Sequence, residues 1–155
     1  MRVEQESPNQ TDVIALIAEL DAYQDSLYPA EARYALDLTS LSKPNVLFVV
    51  ARNEQRAALG CGAVVLNDIY GEVKRMYVRP EARNMGVARH VIAALEAGAY
   101  KSGCRELMPE TGPYQPEALR FHGRHGYMRR GAFGAYPEHP LSVFMGKSLC
   151  SPTDH

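Results

Sequence analysis

Arg83, Gly86 and Ala88 stand at positions one, four and six of a short turn that has the makings of an anion cradle. Before the turn, Val73–Val78 is rich in β-branched, aromatic and apolar side chains and reads as a strand, which Pro80 ends. After it, Val87, Val91, Leu95 and Ala99 recur at helical spacing with Ala88 and Ile92 alongside, predicting a helix over residues 86–101. The first backbone N–H groups of a helix lack internal acceptors and carry the positive end of its dipole. At Gly86 the missing side chain lets a phosphate reach that backbone, and Ala88 keeps the helix start uncrowded. Arg83 adds a fixed positive charge. Such a site suits a pyrophosphate.

Spacing excludes two other phosphate cradles. No Gly-x-x-x-x-Gly-Lys-Ser/Thr run exists, and Gly60-Cys61-Gly62 lacks both the third glycine and the following helix of a dinucleotide fingerprint.

The 155 residues suit one domain, expected over 1–150 with 151–155 as a frayed tail, and 46% apolar content is ordinary for a soluble globular chain. There is no apolar run of about 18 residues, and the N-terminus is polar, so neither a membrane span nor a secretory leader is expected. Cys61, Cys104 and Cys150 are odd in number and lack Cys-x-x-Cys spacing, which fits a reducing cytoplasm and argues against disulfides or a zinc site. Cys61 and Cys104 read as small core residues. His122 and His125 stand three apart on one predicted helix face, but no carboxylate or cysteine completes a metal site, and none is expected. A net charge of −1 is too balanced for a nucleic-acid partner. Its distribution is uneven: residues 1–40 hold eight acids and two bases, whereas residues 71–130 hold eleven bases and six acids. A basic half suits a polyanionic cofactor and an acidic half a cationic acceptor, unless the acids are only a solvated face.

Along the chain, Arg2–Glu6 alternates like an edge strand, and Val13, Ile14, Ile17, Leu20 and Tyr23 form a helical stripe behind a Pro8–Asp12 cap. A second short helix is expected from Pro29 through about Leu38. Val46–Ala51 is a near-continuous apolar run, the mark of a strand buried on both faces, and Ala57–Leu66 follows as the next strand. Ser102-Gly103 stops the long helix. In the strand Arg105–Thr111, Pro109 removes a ladder donor, which marks either an edge or a place where pairing stops. Pro116–Arg124 reads as a short helix, and Tyr127–Arg130 and Leu141–Lys147 as strands.

Between a strand and a long helix, Arg83-x-x-Gly86-x-Ala88 resembles the acyl-CoA pyrophosphate loop of the GNAT N-acetyltransferase superfamily. The run Gln115 to Tyr127 resembles the second signature of that superfamily, Asn-x-x-Ala-x-x-φ-Tyr-x-x-x-Gly-Phe. Ala118, Phe121, Gly126 and Tyr127 fit, while Gln115 stands for the usual Asn and His122 for the usual Tyr. The resemblance implies an α/β (α+β) fold with a mixed, mostly antiparallel sheet flanked by helices in the order β-α-α-β-β-β-α-β-α-β-β. It implies an acetyl-CoA-dependent N-acetyltransferase in which an amine attacks the thioester directly. It also implies that the sheet splays open beside the strand holding Pro109 to admit the pantetheine arm.

On that resemblance, cofactor contacts fall to Met76, Tyr77, Val78, Arg83, Asn84, Met85, Gly86, Val87, Ala88, Arg89, Gln115 and Phe121. The backbone at Met76 and Val78 would pair with the pantetheine, the Met76 N–H would face the thioester oxygen, and Asn84 to Ala88 would hold the pyrophosphate. Glu72 occupies the place of a glutamate base. Strand alternation puts it on the side of Met76 and Val78, and four residues of strand, about 13 Å, imply that it acts through water. His122 either protonates the leaving thiolate, as histidine can near neutral pH, or merely lines the pocket while water does so. Glu110 and Tyr114 are secondary candidates for the acceptor pocket, and Asp21, Asp25, Glu31 and Asp37 for its mouth. The implied partner is a small-molecule or peptide amine, in a cytoplasmic protein whose assembly as a homodimer stays open. The competing reading is a non-catalytic acyl-CoA-binding module regulating a partner, favoured only by His122.

Overall fold

Val87, Val91, Leu95 and Ala99 are all 1% exposed or less, and together with Ile92 they make the stripe that seats the long helix on the sheet. The computed structural model describes residues 1–27, 38–111, 115–131 and 143–150. Its elements run β1 (Arg2–Gln5), α1 (Thr11–Leu27), α2 (Leu38–Leu41), β2 (Val46–Arg52), β3 (Ala58–Leu66), β4 (Gly71–Val78), α3 (Val87–Lys101), β5 (Glu106–Thr111), α4 (Pro116–Arg124), β6 (Met128–Arg130) and β7 (Val143–Ser148). The expected order is therefore present. The second helix expected from Pro29 to about Leu38 falls on residues 28–37, which lie outside the described residues; the single turn α2 begins where that helix is expected to end.

The strands form one sheet in the order β1-β2-β3-β4-β5-β7-β6, antiparallel at every contact except the parallel β4–β5 pair. β2 is buried on both faces, as its unbroken apolar run requires. Val49 and Ala51 pack towards α3, and Phe48 and Val50 pack towards α1. Glycine in β3 lets α3 come close, because a Cβ on Gly62 would sit 2.8 and 2.9 Å from Val91 and Leu95. Each fully buried aliphatic side chain of this kind stabilises the fold by about 1.5–3 kcal/mol.

Two interruptions in β4 set up the rest of the molecule. The first is at Pro109. β4 pairs with β5 only at Gly71↔Leu107, Glu72↔Met108 and Val73↔Pro109, while β5 stays paired on its other edge with β7, from Glu106↔Ser148 and Leu107↔Lys147 to Glu110↔Phe144 and Thr111↔Val143. Pro109 has no N–H to continue the ladder, so the two strands part. β5 is an interior strand, which leaves the stop in pairing as the reason for this proline.

The second interruption is a bulge. Ala63 faces Lys74 but Cys61 faces Tyr77, so three steps on β4 match two on β3. Arg75 takes up the extra residue with φ +57°, left-handed backbone that non-glycine residues seldom adopt. A bulge reverses the inward–outward alternation, and this corrects the expected placement of Glu72. Glu72 and Lys74 share the α1 side with Tyr77, because their partners include Ala63 and Cys61 of the α1-side core. Met76 and Val78 pack into the α3-side core on the opposite face.

Arg52, at the end of β2, ties down the chain entering α1. Its guanidinium donates to both oxygens of Glu6 at 3.0–3.2 Å, to Asp12 at 2.6 Å and to the Arg56 carbonyl at 2.8 Å, with its side chain 9% exposed. The guanidinium hydrogen bonds hold the Glu6 and Asp12 carboxyls below their usual range. Such depressed groups contribute stability above their unfolded pKa values and lose it as pH falls through the folded ones. Arg52→Met is expected to cost about 2 kcal/mol at pH 7. It should also flatten the loss of stability below about pH 4, where the unfolded carboxyls titrate. Urea midpoints at pH 7 and in acid check both; parallel acid limbs for the two proteins would contradict the assignment.

Candidate active site

Pro80 starts a single 3-10 turn, Pro80–Ala82, which drops Ala82 into the α3-side core at 2% exposure and turns the chain towards α3. Arg83 then runs extended, Asn84 takes φ +66°, and Gly86 takes φ +80° as the N-cap of α3. Left-handed backbone at Asn84 and Gly86 turns the chain sharply there, the kind of bend, a nest, in which N–H groups can gather around an anion. Among the described residues no backbone carbonyl accepts from the N–H groups of Asn84 through Arg89. The Gly86 carbonyl, by contrast, is used twice, by the His90 N–H at 3.1 Å and by His90 Nδ1 at 2.7 Å. Arg83 and Arg89 are both exposed beside the loop, and Ala88 is half-buried. Open backbone donors, two guanidinium groups and a bare Gly86 fit a pyrophosphate.

The nest lies just past the C-terminal end of β4, the end towards which β4 and β5 separate. Met76 and Val78 border the gap with their side chains in the α3-side core. Tyr77 turns the other way, and its hydroxyl donates to Glu19 of α1 at 3.3 Å. Burial, followed by the Glu19 charge, raises the pKa of this phenol. Residues Asn84, Met85 and Val87 complete the loop, Met85 standing 61% exposed and Val87 1%. Gln115 is the N-cap of α4, half-buried. Phe121 packs on the α3-side core and lies 4.3 Å from the His125 ring.

Glu72 is near the closed end of the gap, mostly buried, with Lys74 Nζ 3.1 Å from its carboxylate. His122 is on the other side of the sheet, because α4 packs into the α3-side core through Leu119 and Phe121. Its ring is 6% exposed and edge-on to Tyr127 at 5.3 Å, and its Nδ1 has no hydrogen-bond partner. Burial, with His125 nearby, pushes its pKa down to about 4. Burial therefore favours the neutral ring. Tyr127 itself donates to Glu96 at 2.8 Å, and Lys147 neutralises that carboxylate at 3.0 Å. The side chain of Glu110 and the whole of Tyr114, Glu31 and Asp37 lie outside the described residues.

Sequence reasoning missed the ties between α1 and β4. Asp21 accepts from Arg75 at 2.6 Å, and Glu19 sits 3.4 Å from Arg79 as well as on Tyr77. Acids on a helix and bases on a strand some 55 residues later carry no local signal of being partners.

Residues 13–127 match the acetyltransferase (GNAT) family. The chain belongs to that family. An "IAA acetyltransferase" of Azospirillum brasilense is 43% identical over 149 residues, covering 95% of this chain and 97% of that protein. A Klebsiella pneumoniae structure assigned as an acyl-CoA N-acyltransferase is 38% identical, with a TM-score of 0.82 over 96% of this chain and 97% of that one. An aminoglycoside 6'-N-acetyltransferase solved with coenzyme A shares the fold at a TM-score of 0.75 and 13% identity, covering 97% of this chain and 98% of that one. As a GNAT member the protein is an acyltransferase that takes its acetyl group from acetyl-CoA. Among the described residues no helix is long and apolar enough to cross a membrane.

Gly86→Glu places a side chain and a negative charge in the nest, at a φ that only glycine adopts without strain. A folded Gly86→Glu variant is expected to bind acetyl-CoA at least about 10²-fold more weakly, because a carboxylate then repels the phosphate where a backbone N–H had donated to it. Calorimetric titration measures it; unchanged affinity would overturn the site.

Proposed function

We infer that the protein acetylates a primary amine that reaches β4 from the α1 side, with the acetyl-CoA in the gap between β4 and β5. The observation carrying this reading is the parting of the two strands after Val73↔Pro109, in line with the open donors of Asn84–Arg89. The bulge at Arg75 supports it, by putting Glu72, Lys74 and Tyr77 on the α1 face while Met76 and Val78 turn to the other.

Bound acetyl-CoA supplies the acetyl group as a thioester. Glu72 takes the proton of the incoming ammonium, directly or through water, and Lys74 orients its carboxylate. The Met76 N–H serves as donor to the developing oxyanion, and the nest and Arg83 fix the cofactor so that its reactive end is held in register. The second proton that the nitrogen sheds as the adduct collapses would pass through water to the leaving thiolate, and His122, a neutral imidazole, would offer that sulfur a hydrogen bond from its Nδ1.

Of the acids expected at the acceptor mouth, Asp21 is engaged by Arg75, and Glu31 and Asp37 lie outside the described residues. Glu6 and Asp12 are engaged by Arg52, Asp21 by Arg75, and Glu19 by Arg79 and Tyr77, so these four acids are matched to the sheet and the segment just past β4. The bias towards cationic amines expected from the −6 balance is narrowed accordingly.

Acetyl-CoA mixed with a panel of spermidine, kanamycin, tyramine, lysine, glutamate and the IAA that names the Azospirillum relative tests the reading by release of free thiol. Wild type should acetylate at least one amine, and Glu72→Gln should lower kcat by about 10²-fold at neutral pH. No thiol release across the panel, with CoA bound tightly, would favour the regulatory module. His122→Phe is expected to lower kcat by about 10-fold, the weight of one hydrogen bond to a charged atom, with acetyl-CoA affinity kept. Its pKa of about 4 also means that folding holds the ring neutral where an unfolded histidine, near 6.5, binds a proton. The stability this gives is complete above 6.5 and lost as pH falls towards 4, and His122→Phe should remove that loss. A kcat within twofold of wild type would take His122 out of the reaction.

A further inference from the structure

Arg75 is the bulge residue of β4, and three separate features converge on it. Its backbone is left-handed at φ +57°. Its carbonyl accepts from the buried Cys61 thiol of β3 at 3.3 Å. Its guanidinium, with the side chain 7% exposed, donates to Asp21 of α1 at 2.6 Å. A side chain in left-handed backbone is retained only where surrounding structure over-determines it, and such strain gathers at functional sites. Two residues further along the strand, Tyr77 and then Arg79 reach the same helix at Glu19.

We propose that Asp21 is a positioning residue: by holding the Arg75 guanidinium it keeps β4 bulged, and the bulge aims the following backbone, Met76 to Val78, at the acetyl donor. The proposal rests on the acetyl-transfer reading for its consequence in rate, but not for its consequence in structure. Without the bulge the alternation of β4 would run through unbroken, and Glu72 and Met76 would fall on one face rather than on two. Asp21 itself touches neither substrate nor cofactor. Its carboxylate acts through the conformation of residue 75.

A set of variants separates this role from an ordinary ion pair. Asp21→Asn keeps size and removes the charge-assisted bond. It is expected to lower kcat by about 10-fold, the weight of one such hydrogen bond, with acetyl-CoA affinity within about twofold of wild type. Amide hydrogen exchange across residues 74–78 should accelerate by a similar factor. Two second-site changes then discriminate. Adding Arg75→Ala removes the stranded guanidinium but keeps a Cβ at a positive φ, whereas adding Arg75→Gly removes the guanidinium and the backbone penalty together. The glycine is expected to restore most of the rate and the exchange protection, and the alanine is not.

Equal rescue by alanine and glycine would mean that only an unpaired charge mattered, and would overturn the proposal. So would an Asp21→Asn protein with wild-type kcat and exchange. If wild type releases no thiol from acetyl-CoA with any amine of the panel, the acetyl-transfer reading fails. The exchange measurements on the same four proteins still decide whether Asp21 holds the bulge.

Discussion

β4 has to stay paired with β3 from Gly71 to Val78 while releasing β5 after three residues. That single demand shapes the molecule. An open gap inside a sheet leaves backbone groups without partners, and buried groups of that kind cost about 1–3 kcal/mol each unless something takes them up. Pro109 lowers the cost on one side by having no N–H to lose. β7 pairs with the other edge of β5, through Glu110 and Thr111 among others, and so holds that strand in place where β4 leaves it. On the other side the bulge turns β4, and α1 braces it through Asp21 and Glu19. A cleft held open by these means offers its spare donors to a ligand rather than to water.

The loop from Arg83 to Arg89 follows the same logic on a smaller scale. A helix start usually satisfies its orphan donors with a capping side chain. Here the N-cap is Gly86, which has none, and among the described residues no backbone acceptor replaces it. Local stability is forgone where a polyanion can supply the missing acceptors, and the stripe of Val87, Val91, Leu95 and Ala99 keeps α3 in place regardless.

Charge serves the same end. The acidic first quarter of the chain looks, by composition, like an electrostatic funnel. In the fold Glu6, Asp12, Glu19 and Asp21 meet Arg52, Arg75 and Arg79, on β2, on β4 and just past the end of β4, and so tie α1 and its preceding segment to the sheet. His122 shows the complementary effect. The same residue type that titrates near neutrality in water is neutral here, because a ring packed against Tyr127 and Phe121 cannot hydrate its proton.

Sequence alone determined most of the described elements, their order and the turn that opens α3. Apolar spacing at 3.6 residues in α3, the doubly apolar run of β2, and the Arg-x-x-Gly-x-Ala turn are local patterns whose energetics act within a few residues. Pro109 marked either an edge or a stop in pairing, because a missing donor is written in the residue itself, and only the sheet order decided for the stop. The tertiary structure decided what depends on partners far along the chain. Strand alternation put Glu72 with Met76 and Val78, and the bulge at Arg75 reversed it, since one residue's φ is settled by the register of β3 and by Asp21 of α1 rather than by its own type. It likewise decided which acids pair with arginines and which imidazole is dry, because burial and ion pairing are properties of the packed chain and not of any stretch within it.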